Sequence, residues 1–192
     1  MNREEIEKYL LLLNEKLKAR NITGEIGIVG GAVMCLLFKA RVSTKDIDGI
    51  FSPTKEIREA IKEISEDNGL PEDWLNDGVK GFIQRDPPKE LFREYSNLKV
   101  WVPTAEYMLA MKCVSARSES QDKEDIEFLL RHLGITDKET VFGIISKYYY
   151  GNTIQAKSQF IVEELLDKVK KISSSVDAVK ESSSKGMKIT PY

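Results

Sequence analysis

Asp46 and Asp48 flank a single isoleucine, fifteen residues beyond the glycine pair Gly30-Gly31. On a strand, side chains alternate between faces, so the two carboxylates project to one side, about 6–7 Å apart along the backbone. Two negative charges at that spacing repel unless a cation lies between them. A hard divalent ion with oxygen ligands, Mg2+ above all, suits such a pair. The glycine pair follows Ile28-Val29 and precedes an apolar stretch that reaches Phe38. A glycine turn at the head of a helix presents bare backbone N–H groups, which suit phosphate. Metal-binding acids beside a phosphate cradle point to chemistry on a nucleoside triphosphate. Each half alone has a plainer reading. An Asp-x-Asp is commonly a solvated strand edge, and Gly-Gly an ordinary turn that uses glycine's freedom at positive φ. The spacing between the two halves gives them meaning together.

Lys112 is a further chemical signal. It is the only charged residue from Tyr107 to Ala116. A lysine in so apolar a helix must either snorkel to water or meet an anion, because burying its charge unpaired is costly. Asp122 and Asp125 lie three apart at the start of the next helical stretch, where acids favour the helix dipole.

The elements that must position these groups follow from periodicity. Apolar residues Ile6, Leu10, Leu13 and Leu17 predict an amphipathic helix over residues 3–20, ended by Asn21-Ile22-Thr23-Gly24. Glu25–Val29 reads as the first strand, Ala32–Lys39 as the helix after the glycine turn, and Lys45–Phe51 as the second strand. A helix then runs from Ser52-Pro53-Thr54 to about Asp67, with Thr54 as its cap. Asn68-Gly69-Leu70-Pro71 breaks it, and Pro71–Asp77 reads as a short helix or turn. Leu91–Tyr95 and Leu98–Val102 form a hairpin around Ser96-Asn97. Helices are predicted over about 104–117, 122–133, 138–148 and 154–171, and a frayed, serine-rich tail over 172–192. The fold class is therefore α+β: an α/β core over residues 1–103 and a helical C-terminal part over 104–171.

With 41% hydrophobic and 31% charged residues, the chain has the make-up of a globular protein that buries a core. A net charge of −2 gives no global attraction to nucleic acid or membrane. Cys35 and Cys113 sit in apolar helical stretches and read as buried free thiols, consistent with a reducing cytoplasm. Two cysteines and the single histidine, His132, are too few for a zinc site. His132 lies just before Leu133-Gly134, a helix C-terminal position. No apolar run approaches the roughly 20 residues of a membrane span, so the expected location is cytoplasmic. Trp74 and Trp101 read as core, and the basic residues Lys80, Arg85, Lys89 and Arg93 are too interleaved with acids to signal nucleic acid.

Gly30-Gly31 with Asp46-Ile47-Asp48 resembles the DNA-polymerase-β-like nucleotidyltransferase superfamily. Its signature is a hydrophobic residue, Gly, Gly or Ser, a helical spacer, then Asp-hydrophobic-Asp or Glu. Arg41-x-Ser43-x-x-Asp46, Trp74-Leu75-Asn76-Asp77, and Tyr107–Lys112 followed by Ala116-Arg117 and Asp122-x-x-Asp125-Ile126 are similar to bacterial nucleotidyltransferases related to the abortive-infection toxins of type IV toxin–antitoxin systems. The resemblance spans about residues 26–133.

That resemblance implies a small mixed β-sheet with helices packed on it. It implies transfer of a nucleoside monophosphate from an NTP, with Mg2+ held by Asp46 and Asp48. Gly30 and Gly31 would face the β and γ phosphates, with Ser43 adding a hydroxyl and Lys112 a charge. Asp125, or Asp122, would support the lysine or act as base. The acceptor stays open between an RNA end, a protein side chain and a small molecule, and a cognate antitoxin is an implied partner. The superfamily usually carries a third carboxylate on a later strand. Leu98–Val102 has none, leaving Asp77, Asp86 and Glu94 as candidates. Two other readings stand beside the transferase: a nucleotide-binding or regulatory protein that has lost catalysis, and a metal-dependent phosphohydrolase.

Overall fold

The computed structural model describes residues 1–116, 121–150 and 155–185, with side chains described to residue 172. Arg117 and the end of the serine-rich tail from Gly186 lie outside the described residues. The chain divides into two compact units, Met1–Met108 with Lys147–Tyr150, and Leu109–Ser146 with Gly151–Tyr192.

The first unit opens with α1 (Arg3–Ala19), started by a capping box in which the Asn2 side chain accepts from the Glu5 N–H and the Glu5 carboxylate accepts from the Asn2 N–H. Strand β1 (Gly24–Val29) runs into α2 (Gly31–Leu36), which is shorter than the expected Ala32–Lys39. Lys39 takes a left-handed φ of 52°, and Ala40 N–H bonds back to the Met34 carbonyl, closing the helix early. Strand β2 spans Ile47–Ser52, so Asp46 stands one residue before it. Helix α3 (Thr54–Asn68) is capped at Pro53, not Thr54. Thr54 is already its first helical residue, and its hydroxyl donates to the Phe51 carbonyl. Gly69 ends α3 in the left-handed conformation.

Residues 71–74 make the expected turn, the Trp74 N–H donating to the Pro71 carbonyl at 3.2 Å, but the following residues depart from the expected helix or turn. Leu75–Asn76 is extended as β3, pairing in parallel with Ile47 and Asp48. The Ile47 N–H donates to the Trp74 carbonyl, so an edge of β2 imposes an extended form that local sequence does not specify. A 3-10 turn follows at Gly78–Phe82. The hairpin is observed as expected, β4 (Glu90–Glu94) against β5 (Leu98–Val102).

The five strands form one mixed sheet in the order β3-β2-β1-β5-β4. The central β1 is antiparallel to β2 and parallel to β5. Ile26, Ile28, Ile47, Phe51, Leu98, Val100 and Val102 are buried on one face. The helices pack on that face: a Cβ at Gly24 would touch Leu17 of α1 at 3.0 Å and Ile57 of α3 at 3.1 Å. Trp74 belongs to this core, 1% exposed, its indole N–H donating to the Ile61 carbonyl and its ring 5.5 Å from that of Tyr9. The opposite face carries Glu25, Gly27 and Val29 of β1 beside Asp48, Ile50 and Ser52 of β2.

The second unit is helical. After α4 (Ala105–Ser115), which begins in the first unit, come α5 (Asp122–Leu133), α6 (Lys138–Tyr148) and α7 (Ala156–Lys185). Helix α7 passes the expected stop at 171, because no glycine or proline interrupts the chain between 172 and 185. Ile126, Leu129 and Leu130 of α5 are buried, as are Val162, Leu165 and Leu166 of α7. Both cysteines are buried and free, and burial pushes the Cys113 thiol up to about 12. His132 stands in the last turn of α5, its ring stacked on Phe128 at 5.8 Å. No helix among the described residues is long and apolar enough to cross a membrane.

Candidate active site

The site grows from the junction between β1 and α2. Gly30 has φ +69° and ψ −144°, a conformation close to glycine's own. A Cβ there would lie 2.9 Å from Asp48 Oδ2. Glycine is thus required twice, by backbone angle and by the carboxylate that presses on it. Val29 and Asp48 are register partners across β1 and β2, which is how a residue 18 positions later reaches the turn.

Burial alternates along the approach to β2: Asp46 half-buried, Ile47 buried, Asp48 half-buried, Gly49 buried. That two-residue period gives the carboxylates a common side. The pair fits Mg2+ by donor chemistry, since this ion typically takes one or two carboxylates and completes its shell with water and substrate phosphate. Among the described residues no group of three or more His, Cys, Asp or Glu side chains gathers to hold a metal.

At Gly31 the neighbours are Thr44 and Arg41. A Cβ on Gly31 would lie 2.6 Å from Thr44 Oγ1 and 3.3 Å from Arg41 Nη1. The 41–46 loop is fixed from the N-terminus: Asn2 bridges Ser43, and the Thr44 N–H donates to the Met1 carbonyl at 2.8 Å. Thr44 is buried and its hydroxyl donates to the Asp46 carbonyl at 3.1 Å, tying the loop to the acid it carries. The hydroxyl standing at the glycine turn is therefore that of Thr44. Ser43 is exposed, in the bridge to Asn2. Thr44 is a site residue that sequence reading did not single out, and Arg41 was named only as the start of a motif, with no role of its own. Their signal was present in the Arg41-x-Ser43-x-x-Asp46 run, which carries no period that would say which side chain turns inward.

The three candidates for a further acid go different ways. Asp77 is held by Arg58 at 2.9 Å and Lys80 at 2.7 Å, which lower its pKa, Lys80 contributing most. Glu94 pairs with Lys99 at 3.2 Å. Asp86 lines a cleft of about 140 Å3 on the open face of the sheet, with Gly27, Ile50 and Trp101. Trp101 is half-buried, and its indole nitrogen is shut from solvent without a hydrogen-bond partner among the described residues. It is thus a cleft wall, in contrast to the core position of Trp74.

In the second unit Lys112 meets anions, one of the two outcomes its setting required. Its Nζ lies 2.7 Å from Asp122 Oδ1 and 3.0 Å from Asp125 Oδ2. The lysine side chain is 9% exposed, that of Asp122 17% and that of Asp125 1%. The three-residue spacing puts both acids on one face of the first turn of α5, where their charge also suits the helix dipole.

A family model described as "Nucleotidyltransferase of unknown function (DUF6036)" matches residues 8–130. That stretch takes in the glycine turn, both acids of the pair, Lys112 and Asp125. No curated protein matches the chain, and neither does any solved structure.

Proposed function

The chain belongs to this nucleotidyltransferase family of unknown function, and from that premise we propose that it transfers a nucleoside monophosphate from an NTP to an acceptor, with Mg2+ as cofactor. The observation that carries the reading is the Asp48 carboxylate pressed against the Gly30 turn, with Asp46 two residues before it. Acid and phosphate cradle are one structural unit, because the glycine exists to admit the carboxylate. Asp46 and Asp48 would hold the ion, which when bound offsets triphosphate charge and lowers the pKa of an attacking hydroxyl. The Gly30-Gly31 backbone and the Arg41 guanidinium face the phosphates, and Thr44 positions the loop that carries Asp46. The acceptor oxygen bonds to the α-phosphorus as the bond to the bridging oxygen breaks. Pyrophosphate leaves with that electron pair, and the hydroxyl proton passes to a carboxylate. Lys112 keeps the triphosphate role that the resemblance implies, with Asp125 as the acid that supports it.

The toxin-like subtype, a bacterial source, a cytoplasmic setting and a cognate antitoxin rest on the resemblance and belong to the same proposal. One observation favours a second reading, a nucleotide-binding protein without turnover: no third acid joins Asp46 and Asp48 in a metal-holding group among the described residues. Incubation with each α-labelled NTP, Mg2+ and total RNA separates the readings. Label in RNA, protein or a small-molecule acceptor is the transferase result, and NTP binding without turnover is the second reading. Release of phosphate or nucleotide with no labelled acceptor identifies a hydrolase instead.

A further inference from the structure

Gly27 sits in the middle of the central strand, and the fold itself gives no reason for a glycine there. Its φ lies outside the left-handed range, and a Cβ would meet only the Ile50 carbonyl oxygen, at 3.8 Å. Gly24 and Gly49, on the packed face, would meet neighbours at 3.0 and 3.3 Å. A glycine inside a strand weakens it, and one that no chain segment crowds marks a place where something else approaches the backbone.

The space it leaves belongs to the cleft on the open face. Gly27 and Ile50 form its floor, and Trp101 and the Asp86-Pro87-Pro88-Lys89 segment form its walls. A volume of about 140 Å3 is several times the roughly 30 Å3 that one water takes in the liquid, room for one flat ring system. Ile50 pairs with Gly27 and Asp48 with Val29, so the cleft floor lies two residues along the strand from the acid. Trp101 is the partner of Gly27 on the other side. It therefore stands two residues along and two strands across from Asp48, about 12 Å at roughly 3.3 Å per residue and 4.8 Å per strand. That matches the reach of a nucleotide from its α-phosphate to the far edge of its base. The Trp101 N–H, shut from solvent as the side chain stands, lacks an acceptor among the described residues, and a turn of the indole toward the cleft would let a ring nitrogen or carbonyl there relieve that cost.

We propose that this cleft seats the base of the NTP, a purine, over Gly27, with the Trp101 N–H donating to a ring acceptor. The proposal rests on the nucleotide reading above and adds which part of the substrate lies where. The test is calorimetry on the full chain with Mg2+ and four non-hydrolysable NTP analogues, with tripolyphosphate as the base-free probe. Two variants are compared, each with a melting curve. Gly27→Leu fills the cleft from a position with no close neighbour, and Trp101→Phe keeps the ring and removes the donor. The wild type is expected to bind purine analogues at least tenfold tighter than tripolyphosphate or the pyrimidine analogues. Gly27→Leu should bring every analogue to the tripolyphosphate level, and Trp101→Phe should cost purines several-fold with tripolyphosphate unchanged. Purine affinity unchanged in both variants overturns the proposal, as does a wild type that binds all four analogues no better than tripolyphosphate. Binding of none of the probes, tripolyphosphate included, brings down the nucleotide reading and this proposal with it. If Gly27→Leu does not fold, Trp101→Phe decides alone.

Discussion

Lys112→Met removes an ammonium that sits between two carboxylates while leaving most of the stem in place. With Lys112 9% exposed and Asp125 1% exposed, this is a buried ion cluster, not a solvated surface pair. Its Nζ lies 2.7 Å from Asp122 and 3.0 Å from Asp125, so the variant strips both acids of a charge-assisted contact. Breaking a buried pair by removing one partner costs about 3–5 kcal/mol, because the remaining charge stays desolvated. Domains hold only about 5–15 kcal/mol in total, and 1 kcal/mol corresponds to about 2–4 °C of Tm at this chain length. A fall of about 6–20 °C is expected, read by calorimetry so that a separate transition of the helical unit is seen. Adding Asp122→Asn and Asp125→Asn to Lys112→Met should recover part of the loss, since the acids then no longer carry the charge that Lys112 offsets. A Lys112→Met melt within about 2 °C of wild type, on the same scale, would refute the argument and show that water reaches the carboxylates. It also sets a rule for activity: turnover lost in Lys112→Met counts towards catalysis only at temperatures where the melt shows the variant folded.

Asp48→Asn keeps the shape beside Gly30 and loses the charge, so transfer in the α-labelled NTP assay should vanish with an unchanged melt; comparable turnover at saturating Mg2+ would place the metal elsewhere. Gly30→Ala forces a Cβ into Asp48 at 2.9 Å and a residue with φ +69° out of its preferred range, costing about 1–3 kcal/mol, and an unchanged urea midpoint would contradict this. Asp77 has its folded pKa lowered, by Lys80 first and Arg58 second, so its stabilising contribution is present above the unfolded value of about 3.9 and is lost as pH falls through the folded value. Asp77→Asn should therefore be less stable than wild type at pH 7, with the gap closing in urea melts taken progressively below pH 4; a gap independent of pH would mean that charge is not its cause.

The local sequence determined what local physics controls. Period-3.6 patterning placed α1, α3 and the C-terminal helices, period-2 patterning placed β1, β2 and the β4–β5 hairpin, and the glycine pair marked the turn between β1 and α2. The Asp46/Asp48 pair was legible because strand alternation fixes relative facing over two residues whatever the rest of the chain does. Lys112 was legible as a charge that must either reach water or meet an anion, since desolvation is costly wherever the helix lies, and the fold decided for the anion. Tertiary structure decided everything that depends on a distant partner. Leu75-Asn76 became a strand because the free edge of β2 was there to pair with it, and two residues carry no period of their own. Trp74 and Trp101, alike in the sequence, divided into core and cleft wall according to which sheet face each meets. Asp77, Asp86 and Glu94 could not be ranked until Arg58, Lys80 and Lys99 were placed beside two of them. Thr44 and Arg41, not Ser43, stand at Gly31 because the N-terminal residues pin the 41–46 loop, and a loop's side-chain directions follow from such long-range bonds, not from any repeat in its sequence. Gly27 was one glycine among twelve in the sequence, and its place in mid-strand with an ordinary φ and no close neighbour above its Cα distinguishes it from those the fold itself requires.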